Sequence, residues 1–335
     1  MPDPALLVVT CGGTISSVPP GTGSGAVPRL QAGDLLGELP RLAAEVETHA
    51  FSTVASPELT LDDAVALHAL LTAWVDARGD ADAGIVVTCG TDTLEEMAYA
   101  VDLLWARQTP VVFTGAMRHA GLPSPDGPGN LLAASRTALA PSARGSGVLV
   151  VLGERIHLAC TVRKSHTSDV GTFASPALGP VGWVAEGRPR LVLRRVRPRA
   201  LPPPIGPVPA VALLTASLGD DGRLLPAVAA AGFAGLVLEA LGGGHLPSAV
   251  AASDGLKGLV EAGPVVLASR VWAGEMLSAT YGFAGSEADL LARGLISAGA
   301  LDAPKARVLT ALLLAAGCDR RGVAAGFAEH ATYGA

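Results

Sequence analysis

Three clusters of hydroxyl, carboxylate and amine side chains follow short apolar stretches of the sequence. The first contains Thr14, the second contains Thr91 with Asp92, and the third contains Lys164. A threonine hydroxyl becomes an effective nucleophile when a neighbouring group accepts its proton, and a desolvated lysine can be that group. A single lysine is more often a solvated surface charge, so the residue types allow both interpretations until a fold places them.

The first cluster, residues 10–16, has two glycines directly before Thr14. Glycine lets the chain turn sharply where a strand ends, and it exposes backbone N–H groups to an anion. Phosphate-binding loops share this feature, but residues 10–16 have neither the GxGxxG nor the GxxxxGK[ST] spacing. The cluster therefore indicates an anion-binding turn and does not support a nucleotide site.

The second cluster, residues 88–96, contains the start of a helix. Thr93 and Glu96 have the spacing of a capping box, in which two side chains close the first helical turn. Such a start could account for the whole cluster. It leaves Thr91 and Asp92 in the preceding turn, however, without a structural duty that requires both.

The elements that position these clusters alternate along the chain. Apolar runs that end in Gly, Ser or Thr predict strands at residues 5–10, 84–88, 110–114 and 147–152, and helical spacing predicts helices at 61–77, 93–106 and 130–139. Continuous apolar strands that alternate with helices are typical of a mostly parallel sheet covered on both faces. Ligands of such α/β sheets bind beyond the carboxyl ends of the strands, where the three clusters lie.

A proline-rich stretch divides the chain. Residues 197–209 contain three consecutive prolines and cannot form a helix or a central strand, so we interpret them as a linker. We predict a larger N-terminal catalytic α/β domain over residues 1–196 and a smaller C-terminal α/β domain over residues 210–335. A length of 335 residues fits two such domains.

The composition excludes several classes of protein. Half of the residues are apolar and 16% are charged, which excludes global disorder. The 24 basic and 30 acidic residues give a net charge of −6, and no basic stripe with aromatic residues indicates a nucleic-acid partner. No run of about 20 apolar residues predicts a membrane span, and the first ten residues lack the pattern of a signal peptide. We therefore expect a cytoplasmic protein.

The sequence shows no spacing typical of metal ligands. Its four cysteines are widely scattered without a CxxC pair, and its histidines form no HExxH motif. We interpret the cysteines as small buried apolar residues. We predict that the protein needs no metal and no cofactor.

Over nearly its whole length the chain resembles the bacterial-type L-asparaginase family. The resemblance rests on five motifs in the family's order: residues 11–15, residues 90–96, residues 115–118 with 126–130, Lys164 with Thr167 and Asp169, and residues 304–307. Residues 90–96 are the most specific of the five. The resemblance implies a hydrolase that converts L-asparagine to L-aspartate and ammonia.

The resemblance also implies catalytic roles. Thr14 would be the primary nucleophile that attacks the side-chain amide carbon. Thr91, Asp92 and Lys164 would form a second catalytic group, in which Lys164 relays a proton through Thr91. Backbone N–H groups near Thr14 and Thr91 would hold the developing oxyanion.

Substrate contacts follow from the same resemblance. Ser56 would bind the α-carboxylate, Asp92 the α-amino group, and the carbonyl of Ala116 the leaving amide. Glu287 and His245 would reach the substrate from a neighbouring subunit. This arrangement implies a homodimer or a homotetramer with shared active sites.

The chain departs from the family at several positions. Residues 16–28 contain no tyrosine, although the family usually has one there that assists the first threonine. Cys89 stands in place of a histidine, Pro57 in place of a glutamine and His245 in place of an asparagine. A glutaminase-asparaginase and a non-catalytic amino-acid sensor on the same scaffold therefore remain alternatives. An amidotransferase subunit usually has an additional N-terminal domain, for which about ten residues before the first motif leave no room.

Overall fold

The computed structural model describes residues 4–18, 27, 28, 42, 44–80 and 82–332. The chain divides into two compact units, Met1–Ala200 and Leu201–Ala335. The division lies within the proline-rich stretch, and the domain bounds given above stay a prediction. Each unit is an α/β structure, and the N-terminal one has the larger, mostly parallel sheet, so the predicted fold class is confirmed.

Within the described residues, the N-terminal unit has twelve strands and three α-helices. The strands are β1 (Ala5–Cys11), β2 (Ser17–Val18), β3 (Val27–Pro28), β4 (Glu45–Ser52), β5 (Ala83–Cys89), β6 (Val111–Thr114), β7 (Val148–Leu152), β8 (Arg155–Leu158), β9 (Arg163–Lys164), β10 (Phe173–Ala174), β11 (Gly182–Ala185) and β12 (Arg188–Leu191). The helices are α1 (Leu61–Arg78), α2 (Leu94–Leu104) and α3 (Gly127–Ala138).

Eight of these strands form one sheet in the order β12-β11-β8-β7-β6-β5-β1-β4. At one end of this order, β4, β1, β5, β6 and β7 pair in parallel. At the other end, β8, β11 and β12 extend the sheet by antiparallel pairing. The central strands β1, β5, β6 and β7 are buried along almost their whole length, as their continuous apolar sequences predict. The edge strand β4 is largely exposed and carries charged residues.

Two short hairpins stand apart from this sheet. β2 pairs with β3, and β9 pairs with β10, both in antiparallel fashion. The second hairpin matters for function because β9 contains Lys164, which pairs with Phe173 of β10.

The C-terminal unit has a parallel sheet in the order β13-β14-β15-β16. Its strands are β13 (Val211–Thr215), β14 (Gly235–Ala240), β15 (Val265–Ser269) and β16 (Ile296–Ser297). Its helices are α4 (Leu225–Ala230), α5 (Ser248–Ala251), α6 (Asp254–Ala262), α7 (Glu287–Ala292), α8 (Ala303–Ala315) and α9 (Arg320–His330). The motif at residues 304–307 begins α8, where the buried Lys305 forms an ion pair of 2.9 Å with Asp302, the N-cap residue of the helix.

Candidate active site

Two glycine turns lie side by side at the carboxyl ends of neighbouring strands. β1 and β5 pair in register, so that Cys11 lies opposite Cys89 at their ends. Gly12 and Gly13 follow Cys11 with φ angles of 71° and 89°, a region that favours glycine. A Cβ atom added to Gly13 would overlap the backbone of Gly90, the residue before Thr91. The turns that carry Thr14 and Thr91 are therefore packed against each other.

Thr91 is connected directly to Lys164. The Nζ atom of Lys164 donates hydrogen bonds to Thr91 Oγ1 at 2.9 Å and to Asp92 Oδ1 at 2.6 Å. Thr91 is buried and the lysine side chain is 18% exposed, whereas the side chain of Asp92 is 63% exposed. Lys164 thus touches a shielded hydroxyl on one side and a carboxylate open to solvent on the other. Residues from two separate parts of the sequence, Thr91 with Asp92 and Lys164, therefore form one cluster.

Thr14 occupies the other turn. It is half-buried and begins a single 3₁₀ turn, Thr14–Ser16, that leads into β2. The buried Ile15 beside it packs near the start of α3, where a Cβ atom on Gly127 would lie 3.0 Å from Ile15 Cγ1. Of the tyrosine-free segment at residues 16–28, residues 19–26 lie outside the described part of the chain.

Ser56 borders the same turns. It is buried in the 3₁₀ turn Ser56–Glu58, and a Cβ atom on Gly90 would lie 2.5 Å from Ser56 Oγ. Its carbonyl accepts a hydrogen bond of 3.0 Å from the hydroxyl of Thr93. The structure therefore brings Ser56 to the Thr91 turn, as predicted from the resemblance.

The predicted capping box of α2 is wrong. Thr93 is the N-cap residue, but its side chain makes no capping hydrogen bond. Its backbone has φ −122° and ψ 6°, outside the extended conformation from which an N-cap side chain usually reaches the helix. The Thr93 hydroxyl donates to the Ser56 carbonyl instead, and so it fixes the distance between the Ser56–Glu58 turn and the Thr91 turn.

The loop that contains Ala116 is held by two polar side chains. Asp126 accepts hydrogen bonds from the backbone N–H groups of Met117 at 3.0 Å and Arg118 at 2.8 Å. Asn130 donates to the Gly115 carbonyl at 3.0 Å and to Asp126 at 3.1 Å. The buried Ala116 therefore has a fixed backbone. The sequence motif includes Asp126 and Asn130, but only the fold shows that their duty is to hold this loop.

This loop also lies next to the catalytic candidates. Gly115 follows β6, and a Cβ atom on it would lie 3.3 Å from Thr91 Cγ2. A Cβ atom on Gly127 would lie 3.5 Å from Ala116 Cβ. The N-terminal unit thus brings Thr14, Ser56, Thr91, Asp92, Ala116 and Lys164 to one end of its sheet.

Glu287 and His245 form a second polar cluster, in the C-terminal unit. The fully buried carboxylate of Glu287 accepts backbone hydrogen bonds of 2.7 Å from Thr280 and Tyr281, and His245 Nε2 lies 3.1 Å from it. Burial alone would raise the pKa of Glu287, but the backbone N–H groups and His245 together hold it below its ordinary value. Glu287 is therefore an ionised carboxylate.

Two aromatic residues orient His245. The rings of Tyr281 and Phe283 meet its imidazole edge-on, with centroids 5.0 and 5.2 Å away, and both aromatic side chains are about half exposed. Sequence reasoning found neither residue as part of the site. No local pattern marks them, because two helices and β15 lie between them and His245 in the sequence, and only tertiary packing brings the three rings together.

Cys11 and Cys89 are buried at the ends of β1 and β5. Burial raises the pKa of Cys89 to about 12, and burial, followed by the proximity of Cys89 and Asp63, raises the pKa of Cys11 well above its usual range. Both side chains are protonated thiols that fill space, as predicted. Cys160 is buried as well, but Cys318 is only half-buried, so the prediction is wrong for that cysteine. Among the described residues, no group of three or more His, Cys, Asp or Glu side chains is arranged to hold a metal ion. Nor does that part of the chain contain a helix both long and apolar enough to span a membrane.

Comparison with known proteins extends the similarity over both units. The family models "Asparaginase, N-terminal" and "Glutaminase/Asparaginase C-terminal domain" match residues 5–197 and 210–327. A protein of Deinococcus radiodurans named probable L-asparaginase is 39% identical, and the alignment covers 96% of each chain. The L-asparaginase of Bacillus licheniformis is 32% identical over 92% of this chain and 95% of its own. The crystal structure of a probable cytoplasmic L-asparaginase from Campylobacter jejuni superimposes with a TM-score of 0.85 at 28% identity, covering 98% of this chain and all of the other.

Proposed function

This chain belongs to the asparaginase family and is a hydrolase of the L-asparagine side-chain amide, and we propose that Thr14, Thr91, Asp92 and Lys164 carry out the reaction. The observation that carries this proposal is the contact of 2.9 Å between Lys164 Nζ and the buried hydroxyl of Thr91. A metal or cofactor is not part of the proposed chemistry. Attack by Thr14 breaks the amide C–N bond and releases ammonia, and water then hydrolyses the resulting Thr14 ester to release L-aspartate.

Lys164 and Thr91 form the proton-transfer part of the site. In its neutral form, the lysine amine can accept the proton of a hydroxyl nucleophile and later return it to the departing ammonia. The shielded position of Thr91 strengthens this exchange, because charges interact more strongly where water is excluded. Asp92, on the exposed side of Lys164, holds the amine close to Thr91 by its bond of 2.6 Å.

Thr14 is the proposed nucleophile that attacks the amide carbon. Its turn packs against the Thr91 turn through Gly13 and Gly90, which fixes both backbones. Backbone N–H groups of the two turns would then stabilise the negative charge that develops on the amide oxygen. One such donor is commonly worth about 3–4 kcal/mol in the transition state.

The remaining residues bind the substrate. The exposed carboxylate of Asp92 suits the α-ammonium group, and the buried hydroxyl of Ser56, beside Gly90, suits the α-carboxylate. The Ala116 carbonyl accepts a hydrogen bond from the leaving amide, supported by the fixed loop at residues 115–118. These contacts recognise an amino acid by both of its backbone charges and by its amide.

Three substitutions test this assignment. We expect Thr14→Ala, Thr91→Val and Lys164→Met each to lower kcat for L-asparagine at least 100-fold, about 2.7 kcal/mol of barrier, with an unchanged melting temperature. The measurement is ammonia release by purified protein, with L-glutamine as a second substrate because the C-terminal family model also covers glutaminases. Lys257→Met, at an exposed position of α6, is the matched control and should keep wild-type turnover. Near-normal ammonia release by Thr91→Val would contradict the proposal.

We also propose that His245 and Glu287 complete the active site of a second copy of the chain in a homodimer or homotetramer. Support comes from the way Glu287 is built: an ionised carboxylate, fully buried in its own unit, with His245 and Tyr281 around it. Such a group suits the ammonium of an amino acid presented by a neighbouring chain. The Campylobacter jejuni protein is named cytoplasmic, and we propose the same compartment here.

Co-expression tests the shared site. A Thr14→Ala chain and a Glu287→Ala chain, each inactive alone, should partly restore ammonia release when they form hybrids, because one site then combines the two intact units. The matched control is Thr14→Ala with Thr91→Val, in which every site keeps one lesion and no activity should return. Verified hybrids of the first pair without any activity would show that the sites are not shared.

A further inference from the structure

Glu95 lies in an unusual place for a carboxylate. It is buried in the first turn of α2, four residues after Thr91. An acidic residue in the first turn of a helix is favoured by the helix dipole, but it usually remains in water. A buried charge is expensive unless hydrogen bonds replace its lost water. The burial of Glu95 therefore requires a specific contact.

The backbone of Lys164 makes such a contact. The N–H group of Lys164 donates a hydrogen bond to Glu95 Oε2, across 69 residues of sequence. This hydrogen bond replaces part of the water that burial removes from the carboxyl group. Lys164 is therefore held at both ends. Glu95, in the first turn of α2, binds its backbone, and Thr91 and Asp92, in the turn before α2, bind its amine.

Lys164 needs this second attachment. Its strand β9 is only two residues long and pairs with an equally short β10. A lysine side chain has four rotatable bonds, and fixing it costs conformational entropy. If the backbone of β9 could shift, the amine would reach Thr91 in only a fraction of its conformations. Displacement of a catalytic group by about 1 Å can cost about 100-fold in rate.

We propose that Glu95 is a positioning residue, whose carboxylate fixes the backbone of Lys164 so that its amine meets the Thr91 hydroxyl. This proposal rests on the catalytic role proposed above for Lys164. Glu95 touches neither the substrate nor the reacting atoms in this role. Its contribution is to join the hairpin that carries Lys164 to the helix that begins beside Thr91.

Substitution of Glu95 tests the role. In Glu95→Ala we expect kcat to fall at least about tenfold while KM changes less than about threefold, because substrate contacts stay intact. Glu95→Gln keeps a carbonyl oxygen that can accept the Lys164 N–H, so it should recover most of the lost turnover and keep the wild-type pH profile of kcat. Glu96→Gln, the next residue of the same helical turn and more exposed, is the matched control and should leave kcat unchanged.

A double-mutant cycle separates this proposal from the one on which it rests. If Glu95 acts through Lys164, Glu95→Ala should cost nothing further in a Lys164→Met background. Normal turnover in Glu95→Ala, or an equal additional loss in the Lys164→Met background, would overturn the positioning role while leaving Lys164 as a catalytic residue. Equal loss in Glu95→Gln with a displaced pH profile would overturn it too, since charge rather than position would then be at work. Near-normal turnover in Lys164→Met would instead reject the proposed catalytic group itself.

Discussion

The Thr14 turn and the Thr91 turn begin alike and end differently. Each follows a buried cysteine at the carboxyl end of a central strand, and each depends on glycine. Thr91 is buried and leads into α2, an eleven-residue helix whose first turn binds Lys164. Thr14 is half-buried and leads into one 3₁₀ turn and the two-residue strand β2. Equivalent positions in one sheet thus carry two kinds of support.

The two kinds of support suit two tasks. A hydrogen bond from the distant Lys164 fixes the Thr91 hydroxyl relative to the amine, which is the requirement for proton transfer. Close backbone packing defines the Thr14 turn, since a Cβ atom on Gly12 would overlap the Val54 carbonyl and one on Gly13 would overlap Gly90. Packing of this kind fixes the direction of N–H groups. In the function proposed above, proton transfer belongs to the Thr91 side and presentation of the nucleophile to the Thr14 side.

The hairpin that carries Lys164 is connected to a buried histidine, so we expect the stability of this region to depend on pH. The residues that flank the β9–β10 hairpin are joined to β8 by hydrogen bonds. Thr161 Oγ1 lies 3.1 Å from Ser175 Oγ, and Ser175 Oγ lies 2.9 Å from the buried Nδ1 of His157. His157 belongs to β8 of the large sheet. Burial, together with Arg155, lowers the pKa of His157 to about 4 from an ordinary value of 6.5. The hairpin is therefore tied to the sheet by a neutral histidine.

The first prediction follows from this pKa and has the larger effect. The folded protein resists protonation of His157, whereas the unfolded chain binds the proton below pH 6.5. The free energy of unfolding should fall as the pH drops from about 6.5 to about 4, by at most roughly 3 kcal/mol from this group, and no further below that. Urea unfolding of His157→Asn should lack this part of the decrease. His49→Asn, at an exposed position of β4, should keep the wild-type decrease. An identical pH dependence of the free energy of unfolding in all three proteins would show that His157 does not contribute to the loss of stability in acid.

Sequence reasoning predicted the central part of the fold well. The strands β1, β5, β6 and β7 are found within one residue or so of their predicted bounds, because buried parallel strands are continuous apolar runs. The antiparallel edge formed by β8, β11 and β12 was missed. Each of these strands is only four residues long, so neither the apolar run of β11 nor the alternation of β8 and β12 is long enough to stand out in the sequence.

The residues of the candidate site could be proposed from the sequence, but most of their contacts could not. Thr91, Asp92 and Lys164 stand out by residue type and by their position after strands. The hydrogen bond from the Lys164 N–H to Glu95 and the one from the Thr93 hydroxyl to the Ser56 carbonyl join residues 69 and 37 positions apart, and no periodicity encodes such pairs. His245 and Glu287 entered only through the family resemblance, since neither follows a strand in a recognisable motif.

The last prediction concerns the segment after Thr14, where the comparison is sharpest. Residues 16–28 contain no tyrosine, and their hydroxyl groups belong to Ser16, Ser17, Thr22 and Ser24. None of these side chains has a pKa suited to base catalysis. If proton transfer belongs to the Thr91 side, as proposed above, these four hydroxyl groups are not needed for the chemical step.

Replacing all four hydroxyl residues by alanine should therefore cost less than about tenfold in kcat, roughly 1.4 kcal/mol of barrier, whereas Lys164→Met should cost far more. The measurement is ammonia release at saturating L-asparagine, with KM determined in parallel so that lost binding is separated from lost chemistry. A single change such as Thr22→Ala or Ser24→Ala that abolished turnover at unchanged KM would identify a catalytic hydroxyl in the segment. The Thr14 side would then have its own proton acceptor, and the division of tasks between the two turns would be wrong.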